Sequence, residues 1–142
     1  MSRVTGVSGV RADAVSLPRM QSTELDRFTG LARRPLANGL VIIEAETHRS
    51  RRRGLARLDS LAPDQALHIP HTPSVHTFGM RFALDLIWLS ADGSVVRVDR
   101  SVPRGRVRLC LKARSVVETV AGRADAFLEA GVAPRGWPRC GA

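Results

Sequence analysis

The chain has 142 residues and a net charge of +9, and its 44% hydrophobic and 25% charged residues match the composition of a globular protein. This length supports one domain with its own core, and Cys110 and Cys140 are too few for a disulfide scaffold. No apolar run approaches the ~20 residues of a membrane span, and the N-terminus lacks the apolar core of a secretory signal. We therefore expect a cytoplasmic protein without a transmembrane segment.

The beginning of the chain differs in composition from the rest. Residues 1–36 mix Gly, Ser and Arg without a period, which is typical of a mobile tail. Within this stretch, residues 22–31 have the pattern of a short helix that would pack Leu25, Phe28 and Leu31 on the domain. The predicted organisation is an N-terminal tail at 1–36, a single globular domain at 37–136 and a C-terminal tail at 137–142.

The first elements of the domain are a strand and a helix. The turn pair Asn38-Gly39 precedes a run of β-favouring residues and predicts a strand at about 39–46. Thr47 can then cap a basic helix that runs to about Leu55, where Gly54 suits a helix end.

The remaining elements are mostly short strands. The strand at 84–91 is apolar on both faces and is therefore expected to be central, and Asp92-Gly93 predicts a hairpin after it. Short strands with hairpin turns indicate an α+β fold, with a curled, mainly antiparallel sheet or a small barrel and two short helices. The other predicted elements are strands at 66–69, 75–80, 95–101 and 114–120, a further strand near Arg106 and Arg108, and a helix at 124–130.

The segment from His76 to Leu89 is the most informative part of the chain, because it places one His, one Arg and one Asp in an otherwise apolar run. Buried charge is costly unless it is paired. Asp85 shares a strand face with apolar residues and needs a donor, for which Arg81 and His76 are the candidates. These residues therefore form a structural network or line a site.

This signature and the residues around it closely resemble the bacterial and archaeal "domain of unknown function 192" family, over roughly residues 36–136. Two departures are Ala83, where Pro is expected, and Pro134-Arg135-Gly136, where relatives usually carry a Gly-Asp pair. The resemblance implies the same curled sheet or small barrel, and the family has no established biochemical activity. The other matching segments include Arg34-Pro35-Leu36, residues 39–45, Arg53-Gly54-Leu55, Asp92-Gly93, Val95-Val96, residues 113–118, Ala121-Gly122 and Gly131-Val132.

Our first functional hypothesis is a non-enzymatic domain that binds a small anionic ligand at the signature, with Arg81 holding the anion. The alternative is an enzyme in which His76 acts as a general base and Asp85 orients it. A third interpretation is that the same residues form a purely structural network, which stabilises a bend of the chain at Phe82-Ala83. The residues expected to bound the pocket are His76, Gly79, Met80, Arg81, Asp85 and Trp88.

The histidines do not predict a metal site. His68, His71 and His76 are separated by Pro70 and Pro73, and their spacing matches no compact zinc motif. No nucleophile elbow or Gly-rich phosphate loop occurs either. We therefore expect neither a metal ion nor another cofactor.

The arginines suggest a further hypothesis, which is nucleic-acid binding or a protein-interaction surface. Lys112 is the single lysine, so the basic charge comes from arginine, a bias that GC-rich coding sequences also produce. A positive surface attracts nucleic acid in either case, but the few aromatic residues leave little for base stacking. The candidate residues are Arg49, Arg51, Arg52 and Arg53 on the basic helix and Arg104, Arg106 and Arg108 on an extended segment.

Overall fold

A computed structural model describes residues 27–47, 50–51 and 54–132 of the chain. These residues form eight strands, one α-helix and a 3-10 turn at Ala37–Gly39. Within the described residues, no helix is both long and apolar enough to cross a bilayer. The strands are β1 (Arg33–Pro35), β2 (Val41–Glu44), β3 (Gln65–Pro70), β4 (Ser74–His76), β5 (Leu84–Leu89), β6 (Val95–Val102), β7 (Val107–Leu109) and β8 (Ser115–Val120), and the helix is α1 (Ala124–Glu129).

Six of the strands form one mixed sheet in the order β1-β2-β3-β8-β5-β6, and β4 pairs with β7 in a small second sheet. Within the large sheet β2 and β3 run parallel, and the other neighbouring pairs are antiparallel. The described strands of this sheet leave β1 and β6 as edges, so they form an open sheet and not the small barrel that was one of the two predicted forms.

The described residues are mostly β, and they contain one complete short helix, α1, of the two helices that the sequence predicted. The predicted helix from Thr47 lies partly outside the described residues, since residues 48–49 and 52–53 are not among them. Its described part does contain helical hydrogen bonds, from Arg51 N–H to the Thr47 carbonyl and from Gly54 N–H to the Ser50 carbonyl, both at 3.0 Å.

Part of the stretch that was assigned to the N-terminal tail contributes to the sheet and to the core. β1 pairs with β2, and Phe28 is buried, with Leu31 partly buried beside it. Leu25, which was expected to pack alongside them, lies outside the described residues.

The large sheet is buried on both faces because its central strands alternate apolar side chains toward two clusters. The first cluster packs one face against β4 and the segment 54–61, and the second packs the other face against α1. The sheet residues of the first cluster are Ile43, Leu67, Ile69, Leu84, Leu86, Trp88, Val102 and Val116, and those of the second are Ile42, Ala66, Ile87, Leu89 and Val117.

Asp85 of β5 is buried on the face of the second cluster, and its carboxylate joins three parts of the chain. A bulge in β6 places Arg100 and Ser101 opposite Asp85, and Oδ1 accepts the Ser101 N–H at 2.8 Å. Oδ2 accepts the N–H groups of Gly122 and Ala124, both at 3.0 Å, and Ala124 is the first residue of α1. The carboxylate therefore fixes the bulge and the start of the helix together.

We predict that Asp85→Asn destabilises the domain by on the order of 3 kcal/mol, because an amide offers one acceptor oxygen where the carboxylate offers two, and its NH₂ group would face backbone donors. Urea denaturation of the variant and the wild type measures the change. Asp125→Asn is the control, since Asp125 pairs with Arg100 on the surface and its loss should cost less than ~1 kcal/mol. Equal effects of the two substitutions would contradict the structural role of Asp85.

Candidate functional site

Glu118 lies in the middle of the large sheet, where the neighbouring strands place apolar side chains beside it. On the central strand β8 it faces Leu67 of β3 on one side and Leu86 of β5 on the other, and it shares the face of the first cluster with Val116. Only 4% of the residue is exposed. A carboxyl group is thus placed where the strand pattern would put an aliphatic side chain.

The Glu118 carboxylate makes no hydrogen bond or ion pair with any residue that the structure describes. Because burial disfavours the charged form and no described residue donates a hydrogen bond that would offset it, the pKa of Glu118 is raised to about 7. Asp85, on the opposite face, accepts three backbone N–H bonds. Of these two buried carboxylates, Glu118 is the one that an external donor or cation can still satisfy.

The reason the carboxylate has room for a partner is a cavity of about 110 Å³ that opens to solvent beside it. Gly54 lies over the carboxylate, and a Cβ at that position would come within 4.0 Å of Glu118 Oε2. The walls combine apolar side chains with a few polar groups. The cavity is lined by Leu55, Ala56, Ile69, Val75 and Met80, by the polar residues Arg51, Thr72, Ser74, His76 and Glu118, and by Gly54.

A second cavity, of about 370 Å³, is lined by a more polar group of residues at the ends of β2 and β3, and it shares Arg51 with the first. Here Glu44 accepts a hydrogen bond from Arg34 Nε at 3.2 Å and lies 2.6 Å from His68 Nδ1. Burial acts to raise the pKa of Glu44, but its contacts with His68 and Arg34 hold that pKa below its usual value. This carboxylate is therefore satisfied within the protein.

Two of the six residues that the sequence placed in a pocket line the Glu118 cavity. His76 is exposed at the end of β4, and its ring lies 5.8 Å from the ring of Phe78. Met80 is buried and forms part of the apolar wall. The signature therefore contributes to the cavity from one side, while Glu118 contributes from the sheet.

The expected bridge from Asp85 to Arg81 or His76 is not formed. The hydrogen bonds of the Asp85 carboxylate go to backbone amides, and the exposed Arg81 guanidinium pairs with Asp59 instead. Asp85 is buried inside the large sheet and His76 belongs to the small one, so the described geometry contains no His76–Asp85 acid/base pair.

The other two candidates also serve the fold. Gly79 adopts a φ of +77°, which favours glycine, and its carbonyl accepts the Arg57 N–H at 3.0 Å. Trp88 is fully buried, its Nε1 donates to Asp99 Oδ2 at 2.9 Å, and the Arg97 guanidinium lies 5.5 Å from its ring centre. Neither residue lines the cavity.

The arginine candidates do not form the predicted stripe on one strand. Only Val107–Leu109 is extended there, so Arg108 lies on β7, whereas Arg104 and Arg106 lie in a turn around Gly105. Thr77 holds this turn by accepting the Arg106 N–H at 2.9 Å and donating to the Pro103 carbonyl at 2.7 Å. Of the basic-helix candidates Arg51 lines both cavities, and Arg49, Arg52 and Arg53 lie outside the described residues.

Among the described residues, no group of three or more His, Cys, Asp or Glu side chains is arranged to hold a metal ion. His68 and His71 line the second cavity, whereas His76 lines the first. Cys110 is buried in the first cluster, and Cys140 lies outside the described part of the chain.

Comparisons with known proteins give a family and a fold. The model of a family described as DUF192, Uncharacterized ACR, matches residues 36–132. No curated protein matches the chain. A solved structure of a proposed transcription regulator from Sinorhizobium meliloti has a TM-score of 0.55 and 20% identity, and the match covers 67% of this chain and 82% of that one. A protein of unknown function from Novosphingobium aromaticivorans has a TM-score of 0.53 and 14% identity, with 74% and 90% covered.

We predict that Glu118 makes the stability of the domain fall as the pH rises from about 4.5 to about 7. Because the folded protein keeps the proton of Glu118 up to about pH 7 while the unfolded chain loses it near 4.5, the folded state binds more protons in this window. The loss should be on the order of 3 kcal/mol and should level off above pH 7.

Denaturation of the wild type and Glu118→Gln at about pH 5 and pH 8 measures this effect, and the variant should gain stability relative to the wild type at the higher pH. Glu129→Gln is the matched control, since Glu129 is exposed on α1. If the free energy of unfolding depends on pH in the same way for the wild type and Glu118→Gln, the raised pKa of the Glu118 carboxyl group is contradicted.

Proposed function

We infer that this chain, which belongs to the DUF192 family, is a binding domain for a small organic ligand that places a hydrogen-bond donor against Glu118. The observation that carries the proposal is the Glu118 carboxylate itself, which is buried, faces a cavity and makes no hydrogen bond or ion pair with any described residue. Buried polar groups in proteins are nearly always hydrogen-bonded, so such a group calls for a partner.

The size of the cavity limits the ligand. A cavity of about 110 Å³ is slightly smaller than the ~150 Å³ engineered cavity that holds benzene, so the bound part of the ligand has on the order of six non-hydrogen atoms. Drug-sized ligands and nucleotides need pockets of roughly 300 Å³ or more. The proposal is therefore a metabolite-sized molecule or the terminal group of a larger one.

The chemistry of the cavity walls limits the kind of ligand further. Leu55, Ile69 and Val75 provide an apolar surface, and the Glu118 carboxyl group lies at the sheet side of the cavity. Apolar walls with a few polar groups that fix orientation are the usual composition of a small-molecule site. An anion alone would meet Glu118 as a like charge when that group is ionised, so we replace the purely anionic ligand of the sequence hypothesis with one that carries a donor.

The role of Arg81 changes for the same reason. Its guanidinium pairs with Asp59, both side chains are more than half exposed, and neither residue lines the cavity. In this proposal Arg81 lies outside the binding site. His76 and Met80 remain in the site as the contribution of the signature.

We predict that protein-observed NMR with small fragments of on the order of six non-hydrogen atoms will find ligands that shift the methyl signals of Leu55, Val75 and Met80. Glu118→Gln should weaken their binding by about 10- to 100-fold, since hydrogen bonds to a charged group contribute about 1.5–3 kcal/mol.

Arg81→Ala is the control for this experiment, and it should bind the same fragments as the wild type. No shifts at the cavity methyls with any fragment would overturn the proposal. Loss of binding in Arg81→Ala with full binding in Glu118→Gln would instead place the ligand at the exposed part of the signature.

A further inference from the structure

We propose that the ligand is a small zwitterion of the amino-acid type, whose ammonium group pairs with Glu118 and whose carboxylate pairs with Arg51. This inference rests on the proposed binding function and names its ligand class. Both residues line the same cavity, so one small molecule can reach both.

Glu118 selects the ammonium end. Its carboxylate is buried and makes no hydrogen bond or ion pair with a donor among the described residues, so a cation that enters the cavity gains a charge-assisted hydrogen bond that none of these residues supplies. An ammonium group carries three donors and fits a compact space better than a guanidinium does.

Arg51 selects the carboxylate end. It is half-buried at the boundary of the two cavities, and its guanidinium makes no hydrogen bond or ion pair with any residue in the described part of the chain. Arginine binds carboxylates with two parallel hydrogen bonds, which fixes the orientation of the bound group. A ligand with both charges therefore satisfies Glu118 and Arg51 together without adding net charge to the site.

The cavity size and its walls agree with a short backbone between the two charges. Ile69, Val75 and Met80 offer a surface for a methyl-sized side group, and about 110 Å³ matches on the order of six non-hydrogen atoms, the number in alanine. Longer side chains would have to extend past Arg51 toward the second, larger cavity.

The test is a titration of the wild-type protein with three probes of nearly equal shape, followed by NMR. Alanine carries both charges, isobutyrate replaces the ammonium group with a methyl group, and alaninamide replaces the carboxylate with a neutral amide. We expect alanine to bind most tightly, isobutyrate at least about tenfold more weakly and alaninamide about three- to tenfold more weakly.

Two variants assign these differences to residues. Glu118→Gln should abolish the preference for alanine over isobutyrate, and Arg51→Ala should abolish the preference for alanine over alaninamide. Arg81→Ala is the control and should keep both preferences. For the wild type, alanine should bind more tightly as the pH rises from about 5 to about 8, because Glu118 must be ionised to pair with the ammonium group.

The outcomes separate this inference from the function on which it rests. If isobutyrate or alaninamide binds as well as alanine, or if affinity for alanine falls as the pH rises, the zwitterion assignment is wrong, and Glu118-dependent binding of other fragments would still support the binding domain. If neither these probes nor any fragment shifts the cavity methyls, both proposals are wrong.

Discussion

The arrangement of the fold depends on the carboxylate of Asp85. Two separate segments donate three backbone N–H groups to it: the bulge of β6 at Ser101, and the turn that leads into α1, at Gly122 and Ala124. Because both segments share the Asp85 carboxylate as their acceptor, it links the edge strand β6 to α1, the helix that covers the second cluster. The exposed pair of Arg100 and Asp125 joins the same two elements from outside, but exposed pairs contribute little by comparison.

Asp85 and Glu118 lie on neighbouring strands, and both are almost fully buried. Their surroundings differ in the number of hydrogen-bond donors that the described residues offer to each carboxylate. Three backbone N–H groups donate to the Asp85 carboxylate, so its hydrogen bonds stabilise the folded structure. Glu118 lies between Leu67 and Leu86 and makes no hydrogen bond or ion pair with a described residue, so its charge opposes folding until something else pairs with it. A close packing of the same sheet would place Leu or Val at this position, whereas here the cavity near Gly54 leaves space beside the buried carboxylate.

The sequence predicted most strands, because alternation and turn pairs such as Asp92-Gly93 are local signals. The parallel pairing of β2 with β3 was missed because pairing depends on the connection between strands, and the three-residue β1 is too short to give a pattern. The signature led to His76 and Met80 in the cavity. Glu118 was missed because a single charged residue in a strand normally faces water, and only the packing of both sheet faces shows that this one does not.

The position of Glu118 also explains why the described part of the chain does not relieve the cost of burying this carboxylate. On either side β8 is paired along its length, with Leu67 and Leu86 directly opposite Glu118, so the backbone cannot rotate the side chain to the surface without breaking the centre of the sheet. Because no described residue pairs with it, the carboxyl group either keeps its proton or pairs with a group that enters the cavity. Near neutral pH the protonated and the ionised forms of Glu118 in the unliganded protein differ little in free energy, because the pKa of this group is raised to about 7. A ligand with a donor or a positive charge therefore meets an acceptor whose position is fixed before binding, so little of the binding free energy is spent on ordering the site.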